Sequence, residues 1–301
     1  MSKLLKVVTC FTGTGMQERG IENSGLYDME VVNTCEMDSD AIICYAAIHH
    51  DLTKEGVINY PDYPSREEMA QQLADKHIGY DFVKDKEYDW QKLARSKDSK
   101  MRLQTVWLAD KLNKNVGDIT KVDKFPSCDL LTFSFPCTDL SIAGRQQGMV
   151  AGETRSGLVY EVLRILKNMK EENNLPTYLL MENVDALVNK KNKSHYEALN
   201  EEFADLGYNC EYEVINGKNC GVPQNRNRVF AIYWLRDKVD LSSLTFPKPF
   251  DDGRRLKDVL MDDVDEKYYI NNERSDALIR ELVETGKVCP TEKALSPNIN
   301  F

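Results

Sequence analysis

Short apolar runs closed by turn residues, with helical spacing between them, constrain this chain more than any other feature. Leu4 to Cys10, Val31 to Cys35, Cys128 to Phe133, Thr177 to Met181, Tyr212 to Ile215 and Arg228 to Trp234 read as strands. Helical patterns fall between them, at Met16 to about Asn23, Asp38 to His50, Gly157 to Lys170 and His195 to Leu206. Such alternation predicts an α/β fold, in which ligands bind beyond the carboxyl ends of the strands. If the sheet is parallel, Cys137 and Glu182 leave it at the same edge.

Those strand ends carry the reactive residues. In Ser134-Phe135-Pro136-Cys137-Thr138-Asp139-Leu140-Ser141 a thiol sits just past an apolar strand. Pro136 holds its own φ and biases Phe135 towards an extended backbone, which predetermines where the next side chain points. On its own the thiol reads equally as a small core hydrophobe. Glu182-Asn183-Val184 closes another strand, and a carboxylate in a partly dry crevice can serve as an acid. Phe11-Thr12-Gly13-Thr14-Gly15 joins the first strand to a helix, an opening suited to a nucleotide. Glu18 stands where the third glycine of a dinucleotide fingerprint would fall, which disfavours NAD and FAD. Glu36, about twenty residues on, reads as a ribose acceptor or a solvated strand end, and Met37 as an adenine contact or core. Asp118, in Gly117-Asp118-Ile119-Thr120, is placed to accept from an adenine amine. Gly144 to Gly152 reads as a lid or an ordinary surface loop, and the alternating Arg226 and Arg228 as partners on one face of a strand entrance or as a solvated pair.

Composition bounds the setting. The 301 residues are 42% hydrophobic and carry no apolar run of membrane-spanning length, and the N-terminus runs into a strand, so a cytoplasmic protein is expected. Eight cysteines without a CxxC pair argue for reduced thiols, and no metal site stands out. The net charge of -10 opposes binding to phosphate backbones unless a basic face coexists with an acidic remainder. Residues 51 to about 112 are charged and broken by Pro61 and Pro64. They read as a helical insertion, solvated or in contact with a substrate, with a capping-box helix from Ser65 to about Lys76 and a second from Lys100 to Asn113.

Together these residues resemble the cytosine-5 DNA methyltransferases of bacterial and phage type, in the family's order. Phe11-x-Gly13-x-Gly15 is similar to the cofactor turn, Pro136-Cys137 to the nucleophile motif, Glu182-Asn183-Val184 to the acid motif and Gln224-x-Arg226-x-Arg228 to the arginine motif. The resemblance implies a Rossmann-like, mostly parallel mixed sheet with helices on both faces, S-adenosylmethionine as cofactor without a metal, and duplex DNA as substrate. It implies that Cys137 adds to carbon 6 of a flipped cytosine, that Glu182 holds the exocyclic amine and ring nitrogen 3, and that Arg226 and Arg228 hold the base and the loop. Ser134, Pro136, Asn183 and Gln224 would support the base. Phe11, Gly13, Gly15, Glu36, Met37, Asp118, Ile119, Pro136 and Leu158 would hold the cofactor. Thr9, Met16, Met37 and Thr138 depart from the family's commonest residues without removing a reacting group. Residues 1–245 are expected to be the catalytic domain and 246–301 a linker with the start of a target-recognition region. No full recognition domain or closing asparagine motif is recognisable, so a fragment or a partner chain is expected. An RNA methyltransferase of the same superfamily and a cofactor-binding subunit that is inactive alone are the alternatives.

Overall fold

The computed structural model describes residues 4–81, 86–137, 154–241, 244–268 and 272–286. The chain divides into two units, one of Met1–Val214 with Arg228–Leu244 and the other of Ile215–Asn227 with Thr245–Phe301.

In the first unit β1 (Leu4–Cys10), α1 (Met16–Ser24), β2 (Asp28–Cys35) and α2 (Ser39–His49) open the chain. An insertion follows, of α3 (Lys54–Asn59), α4 (Arg66–Asp75), a hairpin of β3 (Tyr80–Asp81) and β4 (Lys86–Glu87), α5 (Trp90–Arg95) and α6 (Lys100–Leu112). The chain then supplies β5 (Leu130–Phe133), α7 (Val159–Glu171), β6 (Tyr178–Val184), α8 (Lys193–Leu206), β7 (Tyr208–Asn216) and β8 (Asn227–Leu235). The main sheet has the order β2-β1-β5-β6-β8-β7. The first four strands in that order run parallel, and β8 pairs antiparallel with β6. This is the mostly parallel mixed sheet expected.

Register places the site. Cys10 lies opposite both Cys35 and Phe133, and Phe133 opposite Met181, so β2, β1, β5 and β6 end on one edge. Val8, Leu131, Phe133, Leu179 and Met181 are buried in the core with Val162, Ile165 and Leu166 of α7 and Leu199 and Phe203 of α8. Leu158 packs against this core from its margin.

Several elements differ from expectation. In α2 the inward stripe is Ile42, Tyr45 and Ala46, completed by His49, whose side chain is 4% exposed and stacks on Tyr45 at 4.2 Å between ring centroids. Those positions recur at i, i+3, i+4 and i+7, and Ile48, outside that stripe, faces outward although it is apolar. Leu112 is likewise exposed at the end of α6. The insertion is no solvated excursion. Met69 and Leu73 of α4, Ile78, Trp90 of α5, and Leu103, Val106 and Trp107 of α6 form a second core with Ile42 and Ala46 of α2. Its charge is high because each short helix contributes only a few apolar residues and solvates the rest.

Asn115 ties that insertion to the sheet. Its Oδ1 accepts from the Glu36 N–H at 2.9 Å and the Thr34 hydroxyl at 3.2 Å, and its Nδ2 donates to the Glu36 carbonyl at 3.0 Å and Asp110 Oδ1 at 3.1 Å. The side chain is buried, so Asn115→Leu would strand at least two polar groups without water. Replacing it is expected to cost about 2–4 kcal/mol, read as a lower urea midpoint with unchanged slope.

Candidate active site

Residues 134 to 136, which lead to Cys137, are held atom by atom. The Ser134 N–H donates to the Cys10 carbonyl at 3.4 Å, and Ser134 Oγ accepts from Gln17 Nε2 of α1 at 2.6 Å. Phe135 is buried, and its carbonyl accepts from Asn183 Nδ2 at 3.0 Å. The Pro136 carbonyl accepts from Ser156 Oγ at 2.8 Å. Three bonds to the backbone and one to the Ser134 side chain, from four different segments, therefore fix the approach to Cys137, which is itself half-buried. Gln17 and Ser156 were not among the expected site residues. Neither belongs to a motif; the one sequence signal is a polar residue at the start of a helix beside the glycine turn or the core. Thr138 and the expected lid at Gly144 to Gly152 lie outside the described residues.

Glu182 stands inside β6 and not beyond it, because β8 extends the pairing to Val184 opposite Arg228. Alternation along both strands puts Glu182, Val184, Arg228 and Phe230 on one face, with Glu182 and Arg228 diagonal neighbours. Arg228 Nε meets Glu182 Oε1 at 2.8 Å, and about a fifth of each side chain is exposed. Asn183 points the other way, into the core, where it holds the loop that leads to Cys137. Successive residues of one strand thus serve a carboxylate on one face and the thiol's loop on the other.

The glycine turn is built around a second carboxylate. Glu36 Oε2 accepts from the Gly13 N–H at 2.9 Å, and Oε1 accepts from the N–H groups of Met37 and Asp38, each at 2.9 Å. Burial raises its pKa and these bonds oppose the rise without cancelling it. A carboxylate has about four acceptor positions, so about one remains for a ligand hydroxyl. Gly13, at φ +56°, has no atom within 4 Å of where a Cβ would stand, so the turn is open above the carboxylate. An open glycine turn over a half-buried acid fits the ribose and chain of S-adenosylmethionine. Phe11, itself at φ +54°, donates its N–H to the Cys35 carbonyl at 2.8 Å. Asp118 spends both oxygens on Thr120, at 2.9 Å to its N–H and 2.9 Å to its hydroxyl, and Ile119 is buried beside it.

Arg226 and Gln224 belong to the second unit and are exposed. There the Arg226 carbonyl accepts from the Gly217 N–H at 3.0 Å, and its own N–H donates to Asn216 Oδ1 at 3.3 Å. Among the described residues, no group of three or more His, Cys, Asp or Glu side chains is disposed to hold a metal.

Residues 79–289 match the sequence profile of the C-5 cytosine-specific DNA methylase family. The type II methyltransferase M2.ScrFI of Lactococcus lactis subsp. cremoris is 36% identical over 277 residues, 91% of this chain and 72% of that protein. The orphan methyltransferase M.SssI of Spiroplasma monobiae is 36% identical over 274 residues, 90% of this chain and 68% of that one. Among solved structures, a Spodoptera frugiperda DNMT2 superposes with a TM-score of 0.52 at 16% identity, covering 94% of this chain and 65% of that one, and so shares the fold. The chain belongs to the C-5 cytosine-specific DNA methylase family, whose members are S-adenosylmethionine-dependent DNA cytosine-5 methyltransferases. No helix among the described residues is long and apolar enough to cross a membrane.

Gly15 tests how tightly this turn is packed. A Cβ there would lie 2.4 Å from His49 Nε2 and 2.5 Å from the Tyr45 ring, on a backbone at φ +74°. Gly15→Ala is expected to cost roughly 1–3 kcal/mol in urea unfolding, and His49→Ala should recover only part of it, because the Tyr45 ring and the left-handed backbone still oppose the added Cβ.

Proposed function

We propose that this chain transfers a methyl group to carbon 5 of a cytosine flipped out of duplex DNA, with Cys137 as covalent nucleophile. The observation that supports this best is the parallel register of Phe133 with Met181, which brings the Cys137 loop and the Glu182–Arg228 pair to one edge of the sheet. In this reading the Cys137 thiolate adds to carbon 6, and the electron pair displaced towards ring nitrogen 3 is stabilised by Glu182. Arg228 holds Glu182 in place, and Asn183 and Ser156 hold the backbone that aims the thiol. Bound S-adenosylmethionine supplies the methyl group that carbon 5 takes. A base, whose identity we leave to water or a side chain, then removes the carbon 5 proton, and the sulfur leaves with its electron pair to restore the ring. Glu36 is assigned to the cofactor's ribose, Phe11, Gly13, Gly15 and Pro136 to its methionine side, and Met37, Asp118, Ile119 and Leu158 to its adenine side. We assign Arg226, Gln224 and Ser134 to holding the base and the loop, and the setting to the cytoplasm, in restriction-modification or self-protection.

Residues 1–245 are proposed as the catalytic part and 246–301 as the start of target recognition. A second chain that completes recognition is the alternative arrangement. Incubation with S-adenosylmethionine and a duplex containing 5-fluorocytosine tests the reading, because fluorine cannot leave as a cation and the adduct is trapped. Mass spectrometry is expected to find methylated DNA bound at Cys137 and none in Cys137→Ser. Absence of an adduct with the cofactor bound would overturn the self-sufficient enzyme and point to the second chain.

The cofactor assignment has its own measurement. Glu36→Gln replaces one acceptor oxygen by an amide that faces backbone N–H donors. Calorimetry is expected to show S-adenosylhomocysteine binding weakened at least tenfold, since a charged hydrogen bond carries about 1.5–3 kcal/mol. Unchanged affinity would remove Glu36 from the cofactor site.

A further inference from the structure

The acidity of the chain is unevenly distributed. Residues 90–102 hold Lys92, Arg95, Lys97, Lys100 and Arg102 against the single acid Asp98, in a chain of net charge -10. Lys92, Arg95, Lys97 and Lys100 are all exposed, and among the described residues none of the four forms an ion pair. Nor do they cap a helix. The terminal carbonyls of α5 are already taken by Arg66 of α4, whose Nη2 donates to Leu93 at 3.2 Å and to Ser96. On the opposite side of α5, Trp90 and Ala94 are buried in the insertion's core, so the helix is anchored through one face while its cations project from another. Four exposed cations thus have no ion-pair partner among the described residues.

Their place in the fold gives them one. Arg102 Nη2 lies 2.6 Å from Asp40 Oδ1 and donates to Ser39 Oγ at 2.8 Å, which binds the start of α6 to the first turn of α2. That turn follows the carboxyl end of β2 by only three residues, and β2 ends on the same edge as the strands leading to Cys137 and Glu182. The basic run is thereby tied to the reactive edge of the sheet. We propose that Lys92, Arg95, Lys97 and Lys100 form a DNA-backbone contact, through which the insertion holds the phosphates of the duplex being methylated. The inference rests on the reading of duplex DNA as substrate and assigns part of that substrate's binding to the insertion. Such contacts add affinity and orientation without reading sequence.

Salt dependence measures it. Each phosphate contact contributes about 0.9 to the slope of log affinity against log salt, so four contacts should contribute roughly 3–4. The full chain is titrated with a fluorescent 30-base-pair duplex over a range of sodium chloride, beside the variant carrying Lys92→Gln, Arg95→Gln, Lys97→Gln and Lys100→Gln. The expected result is a slope shallower by roughly 3, with affinity lost equally for duplexes of unrelated sequence. The adduct rate at saturating DNA should be retained, which shows that the variant is folded. A control carries the same loss of charge at Lys121, Lys124, Lys167 and Lys170. An equal fall in slope in the control, or an unchanged slope in the first variant, overturns the inference. Steep, variant-sensitive binding without any cytosine adduct would uphold the contact and overturn only the proposed chemistry.

Discussion

The parallel pairing of β5 with β6 is the constraint on which the rest of the site depends. It sets Phe133 beside Met181, so the loop that begins at Ser134 and the strand residues from Glu182 onward emerge together. The antiparallel partner β8 then supplies Arg228 on the face that Glu182 occupies. A slip of one residue in β6 would move Glu182 to the core face and Asn183 to the reactive face. Both would be lost at once, because the carboxylate would face apolar core and the Phe135 carbonyl would lose its donor. One register therefore determines the ion pair and the loop geometry together.

The frame was legible because its signals are local. β1 was read at Leu4 to Cys10 and is found there, and the glycine turn, the capping box at Ser65 and the strand before Cys137 follow from residue types with strong local preferences. Boundaries set by pairing were less legible. β2 starts at Asp28 and not Val31, and β6 runs on through Val184, because neighbouring strands extend them beyond their apolar runs. The insertion's core was hidden for another reason. Its apolar residues are scattered over helices as short as six residues, and only their packing on α2 shows that they belong together. Gln17 and Ser156 carry no pattern at all, since a polar side chain that supports a loop is defined by what it touches.

The insertion also changes how the sheet edge is held. Asn113 Nδ2 donates to the Ile42 carbonyl at 2.9 Å, Lys76 Nζ reaches Asp110 at 2.6 Å and the Asn115 carbonyl at 2.7 Å, and Asn115 brackets the backbone of Glu36. Burial raises the Asp110 pKa, while Lys76 and Asn115 oppose that rise. Every side-chain oxygen and nitrogen of Asp110 and Asn115 is paired, which makes this cluster specific in geometry, while Asn113 Oδ1 is buried without a partner. The second core is thus a brace for the end of β2, and through it for the residues that face the glycine turn.

Glu36 joins the brace to the glycine turn. Its backbone is held by Asn115, just past the insertion, while its carboxylate holds Gly13 and the start of α2 from the other side. The charge is costly to bury, as its raised pKa records, and three N–H bonds compensate only part of that cost. A ligand hydroxyl at the remaining acceptor position would compensate more of it, and would do so only while the turn is ordered. Binding at the turn and ordering of the turn are then one equilibrium, in which occupancy stabilises the fold by mass action. The sheet edge, the brace and the glycine turn are therefore coupled through one carboxylate, just past the end of β2.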